Sequence, residues 1–206
     1  MDCYQDEIIV SCDIKNHIPA KTLTFTIMNE LNKFNIPDDI KKDAERIYHT
    51  LNYHIRRGRK RKKMIFYCIY NAFLEHDIIY DPYILADFIG LEANEVQKCF
   101  SMFIVDNYKP VLKKFHPKDF FPHYCKIFNI NLDALPRLEK LCNEILNKDK
   151  SLLEMFPQTV SASILYYFLT INGITINKLE FCKKLKRSET FITKLYEKIA
   201  SIHNSI

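Results

Sequence analysis

The densest chemistry in this 206-residue chain is cationic. Arg56-Arg57-Gly58-Arg59-Lys60-Arg61-Lys62-Lys63 puts seven positive charges into eight positions. Guanidinium and ammonium groups at that density grip phosphates or carboxylates and perform no covalent step. Lesser clusters follow at Lys109, Lys113, Lys114 and Lys118, and at Lys183, Lys184, Lys186 and Arg187, with Lys194 close behind. A solvated interhelical loop and a nuclear localisation signal are the ordinary alternatives for the first run. If each cation neutralises one phosphate, duplex affinity falls with salt at a slope of about −0.9 per contact.

Nucleophiles and metal ligands form no comparable constellation. The seven cysteines (Cys3, Cys12, Cys68, Cys99, Cys125, Cys142, Cys182) are odd in number and contain no CxxC. They read as free thiols in a reducing compartment. Cys3, Cys12 and His17, with Asp2, Asp6 and Glu7, have the wrong spacing for a metal site. No His-x-x-x-His pair exists, and Cys125, two residues after His123, lacks a third orienting group. Gly-rich phosphate loops and a Ser/His/Asp arrangement in context are absent too. The expectation is a protein that is not an enzyme and needs no metal or cofactor.

The elements that must position the cations read as helical. Three Gly and no Trp disfavour a turn-rich β fold, and 15 Phe and 12 Tyr supply packing area. Ile40, Ala44, Ile47, Leu51 and Ile55 form the apolar stripe of one amphipathic helix, which Pro37-Asp38-Asp39 opens. The basic run breaks it, and a mostly apolar helix from about Lys62 to Leu74 follows. Asp81-Pro82 opens a fourth helix that Gly90 ends, and a fifth carries Val96, Cys99, Phe100 and Phe103. The apolar run from Met64 to Leu74 is too short to span a bilayer, and the N-terminus lacks signal-peptide character.

The same plan then returns. Phe34-Asn35-Ile36 reappears as Phe128-Asn129-Ile130, a step of 128 − 34 = 94. Cys68-Ile69-Tyr70-Asn71-Ala72-Phe73 lines up with Ile164-Leu165-Tyr166-Tyr167-Phe168-Leu169, a step of 164 − 68 = 96. Later helices are expected over about Lys118–Phe128, Asp133–Asn147, Gln158–Ile171, Asn177–Leu185 and from Ser188 onward. A duplication of this size predicts an all-α protein of two tandem five-helix repeats. The boundaries are an extension over 1–20, repeats over 21–106 and 118–206, and a linker over 107–117.

Five-helix units in tandem, each with an apolar third helix, resemble the cyclin box. Pro117-Lys118-Asp119-Phe120-Phe121-Pro122-His123-Tyr124 resembles the Pro-x-Asp-Phe/Tyr-x-x-Arg-Phe/Tyr opening of the second repeat in the general transcription factor TFIIB. Arg57-Gly58-Arg59 sits where that family often has Arg-Gly-Arg. Pro157-Gln158-Thr159-Val160-Ser161-Ala162-Ser163-Ile164-Leu165-Tyr166 is similar to its Pro-x-x-Val-Ala-Ala-Ala-x-Ile-Tyr. The likeness covers about residues 22–203. It implies a transcription initiation factor that docks on promoter DNA bent by the TATA-binding protein (TBP) or a TBP-like protein, and places RNA polymerase. The Ile-, Lys- and Asn-rich composition looks like that of a divergent homologue from a large DNA virus or an AT-rich genome, acting in the nucleus or a cytoplasmic viral factory.

The resemblance also implies site residues. The basic run (Arg57, Arg59, Lys60, Arg61, Lys63), the linker lysines (Lys109, Lys113, Lys114, Lys118) and the last turn (Lys183, Lys184, Lys186, Arg187) would meet DNA. On the final helix, the family's base-reading Val and Arg positions fall on Thr190 and Thr193, beside Lys194. Thr lacks the bidentate reach of Arg to guanine. Asp77 and Asp81 replace part of a phosphate-binding loop and would repel the backbone there. The family's zinc ribbon has no counterpart. A monomer without membrane attachment is expected. The alternative is a true cyclin, which would pack an exposed apolar patch of its first repeat on a kinase.

Overall fold

The computed structural model describes residues 26–52, 57–103, 108, 110 and 114–204 and is all-helical, with no strand among the described residues. In chain order the helices are α1 Met28–Leu31, α2 Asp38–Leu51, α3 Gly58–Glu75, α4 Pro82–Ile89 and α5 Val96–Met102. After them come α6 Phe121–Ile127, α7 Leu135–Lys148, α8 Pro157–Ile171, α9 Lys178–Lys184 and α10 Glu189–Asn204. Short 3₁₀ turns lead into α5, α6, α7 and α8. The proposed extension over 1–20 lies outside the described residues.

Buried side chains gather into two clusters, one between Ile27 and Tyr108 and one between Phe120 and Ile199. Each surrounds one central helix with a stretch buried on nearly every side. In α3 every residue from Met64 to Leu74 is buried. In α8 the buried set includes Val160 to Leu165 and Tyr167 to Leu169. Amphipathic helices lean on these two. The α2 stripe Ile40, Ala44, Ile47 and Leu51 faces α3 and is buried, while Ile55 lies outside the described residues. In α7, Leu138, Leu141, Cys142 and Ile145 do the same toward α8.

The basic run differs from its expected place. Most of it is not an interhelical loop: α3 begins at Gly58, so Arg59 to Lys63 occupy its first turns, with Arg57 extended just before it and Arg56 outside the described residues. Positive charge at a helix N-terminus opposes the macrodipole. Arg and Lys are nonetheless good helix formers, and carboxylates on neighbouring elements compensate them here.

Helix ends recur with a fixed step. After α3 and α8 the chain turns through left-handed Asp77 (φ 55) and Gly173 (φ 71), a step of 173 − 77 = 96. Ile78 N–H then reaches the Phe73 carbonyl at 2.9 Å, and Ile174 N–H the Leu169 carbonyl at 2.9 Å. After α4 and α9 the left-handed residues are Gly90 (φ 78) and Lys186 (φ 52), again 186 − 90 = 96. Leu91 N–H bonds the Ala86 carbonyl at 2.8 Å and Arg187 N–H the Cys182 carbonyl at 2.9 Å. This is the six-to-one closure of a Schellman cap, which favours glycine at the left-handed position. The side chains of Asp81 and Asn177 cap α4 and α9 by accepting from Tyr83 N–H at 2.9 Å and Glu180 N–H at 3.0 Å.

The stretch expected to be a plain linker is tied down where it is described. Tyr108 is buried in the first cluster and donates its hydroxyl to Glu75 Oε1 at 3.1 Å. Phe115 packs against both clusters, and Pro117 is buried.

Candidate nucleic-acid interface

At the start of α3 the structure divides the predicted cations into two kinds. Arg57 and Lys60 are exposed and hold no ion pair among the described residues. Arg59 meets Glu92 and places Nε 3.2 Å from Glu95 Oε2. Lys63 Nζ lies 3.1 Å from Glu95 Oε1, with both side chains largely covered. Arg61 is only 13% exposed: Nε is 2.5 Å from Glu30 Oε1, and Nη2 donates to the Thr26 carbonyl at 2.7 Å. Arg61, hydrogen-bonded to Glu30, holds that carboxyl below its ordinary range. Burial works against the charge on Glu95, but Lys63, a backbone N–H and Arg59 keep its carboxyl low as well. Arg59, Arg61 and Lys63 thus fasten α3 to α1 and to the turn before α5; Arg61 and Lys63 are largely covered, while Arg59 stays 60% exposed beside its carboxylates.

Around α6, Lys114 and Lys118 are exposed, whereas Lys109 and Lys113 lie outside the described residues. Lys118 lines a cleft of about 780 Å³ between the two clusters, with Lys126, His123, Tyr80 and Phe88. Acids line it too, namely Asp77, Asp119 and Glu139, so the cleft is of mixed charge. His123 stacks on Tyr80 with centroids 4.1 Å apart. Its buried Nε2 has no partner, and burial pushes the imidazole down to about 4. Cys125 is buried and its thiol is raised to about 11 by burial, the opposite of an activated nucleophile.

The turn between α9 and α10 holds the largest departure from expectation. Arg187 is not on a phosphate-facing surface. Its side chain is 7% exposed, and Nη2 donates to Asp81 Oδ2 at 2.5 Å, with Asp81 wholly buried. Left-handed Lys186 turns the chain so that the next side chain enters the seam. The guanidinium lies 4.6 Å from the centre of the Tyr83 ring, and Tyr124 donates its hydroxyl to the same Asp81 oxygen at 2.5 Å. Burial opposes the charge on Arg187, but Asp81 and Tyr124 more than restore it. Burial, then Asp81, drive the Tyr124 hydroxyl well above its ordinary range. Asp81 therefore caps α4 and binds the second half, and is not a surface acid facing DNA. Asp-Pro announced the cap in the sequence; nothing announced a partner 106 residues away.

Lys186 pairs with Asp87 at 2.9 Å, a second tie across the seam, and Lys184 pairs with Glu180 at 3.1 Å. Lys183, Lys194 and Thr190 are exposed, and the two lysines hold no ion pair among the described residues. Thr193 accepts from Lys178 Nζ at 3.1 Å. Thr190, Thr193 and Lys194 line one shallow depression, shared with Glu189 and Glu197. The exposed, uncommitted cations among the predicted residues are thus Arg57, Lys60, Lys114, Lys118, Lys183 and Lys194, spread over three places.

The sequence matches no protein-family model, and no curated protein is significantly similar to it. No helix among the described residues is long and apolar enough to cross a membrane.

Proposed function

We propose that this protein is the core of a TFIIB-like transcription initiation factor. In this reading residues 21–106 and 118–206 are two cyclin-like five-helix repeats. Together they dock on promoter DNA bent by TBP, or by a TBP-like protein, and position RNA polymerase. The observation that carries it is the recurrence of matched caps and left-handed turns 96 residues apart (173 − 77 and 186 − 90), beside the TFIIB-like motifs from Pro117 and Pro157. The work is done by surface charge and shape. Arg57, Lys60, Lys114, Lys118, Lys183 and Lys194 remain for phosphate contact, and the Asp81–Arg187 pair fixes the pose in which they are presented.

The test is a mobility shift of promoter DNA with and without TBP at low salt. The expected result is retardation of the TBP–DNA complex that fades as salt rises. If neither free DNA nor the complex is retarded, the reading fails. One observation favours the cyclin alternative: Phe88 and Ile78, in the first half, are 46% and 41% exposed. Co-purification of kinase activity would select it.

A further inference from the structure

The basic turn between α9 and α10 is held by acids of the other half. Asp81 at the cap of α4 takes Arg187, and Asp87 within α4 takes Lys186. Guanidinium and ammonium groups bind carboxylate and phosphate through the same donors. One helix of the first half thus competes for this turn with any phosphate that approaches it.

The two ties differ in depth. Lys186 and Asp87 meet at the rim, 38% and 57% exposed, where salt and ligands reach them. Arg187 and Asp81 are covered, and in the closed pose nothing from outside touches them. Release of Arg187 requires the seam to part, and the seam is built in a way that permits this. The broad helix-on-helix contacts all lie within one half or the other. Across the seam the apolar packing comes from single side chains, such as Ile79 and Ile84 of the first half against the second cluster. Its polar groups are incompletely paired, since Arg187 Nε and His123 Nε2 are buried without a partner, and only a fully satisfied network rigidifies. The turn that aims Arg187 inward is strained as well. Lys186 holds φ 52 where the matching turn of the first half has Gly90, a conformation that costs lysine more than glycine. Thin, polar joints between domains allow relative motion.

We propose that α4 is an internal competitor of phosphate: it masks the α9–α10 turn, and a polyanion that takes Lys186 from Asp87 draws Arg187 off Asp81 and parts the two halves. The choice of duplex phosphate as the polyanion rests on the nucleic-acid reading above, but neither TBP nor a promoter sequence is needed. The test titrates a short fluorescent duplex of arbitrary sequence with the full-length chain at low salt, without TBP, by anisotropy. Asp87→Asn removes the rim acid, and Asp81→Asn removes the buried one while keeping a side chain that caps α4. Glu144→Gln is the control: it changes the net charge equally at an exposed acid of α7 that holds no ion pair among the described residues. Relative to that control, duplex affinity should rise roughly two- to fivefold in Asp87→Asn and about tenfold in Asp81→Asn. In the wild type, saturation with duplex should speed hydrogen exchange over α4, whose cover is lost. Should Asp81→Asn fail to fold, Asp87→Asn and the exchange experiment decide. The proposal is overturned if the folded variants bind duplex no better than Glu144→Gln, or if exchange over α4 is unchanged or slowed by duplex. Failure to retard the TBP–DNA complex, with these gains present, would sink the initiation-factor reading and leave the masking intact.

Discussion

At the scale of single residues, Asp81 and Arg187 carry the most consequence. Asp81 caps α4, accepts from Tyr124 and neutralises Arg187. With the pair buried, removing either partner strands a charge where water cannot reach it. Such losses run to about 3–5 kcal/mol, whereas replacing both partners by apolar residues of similar size is often near neutral. Arg187→Met alone should therefore lower unfolding stability in urea by several kcal/mol. Arg187→Met combined with Asp81→Leu should recover part of it, less what the lost α4 cap contributes. If Arg187→Met alone unfolds with a wild-type midpoint, the pair does not hold the two halves together.

At the scale of elements, much of the molecule is legible in the sequence. The α2 stripe, the Asp81-Pro82 opening of α4, its stop at Gly90 and the Pro157 opening of α8 are local signals, and the helices begin or end within a residue of them. What is not legible is any feature decided by a distant partner. The basic run reads as a loop because like charges in series suggest repulsion. It folds as the start of α3 because Glu30, Glu92 and Glu95 arrive from other elements. The same fact divides its cations by role. Arg57→Glu and Lys60→Glu should each make the dependence of DNA affinity on salt shallower by about 0.9 in logarithmic slope, with folding unchanged. Arg61→Glu would instead set a carboxylate against Glu30, and should lower the melting temperature first. Equal loss of DNA affinity from all three, with equal stability, would mean that the ion pairs of α3 do not commit Arg61.

At the scale of the whole molecule, the two clusters are joined by a seam whose chemistry is sensitive to acid. His123 packs against Tyr80 from the other half. Burial holds its imidazole neutral, with Lys126 acting in the same sense and Asp81 against it, down to about 4 from an ordinary value of 6.5. A histidine depressed in this way takes up a proton in the unfolded chain before it does so in the folded one. Its contribution is complete above pH 6.5 and is lost progressively as the pH falls toward 4. The shift corresponds to at most roughly 3 kcal/mol. His123→Phe keeps a ring against Tyr80 and removes the titration. Carboxylates titrate over part of the same interval, so the informative quantity is the difference between the two proteins. Urea unfolding at pH 7 and at pH 4.5 should show the wild type losing more stability than His123→Phe, by a margin approaching that figure. Equal acid losses in the two proteins would place His123 in contact with water, and the seam would then be open where it is drawn closed.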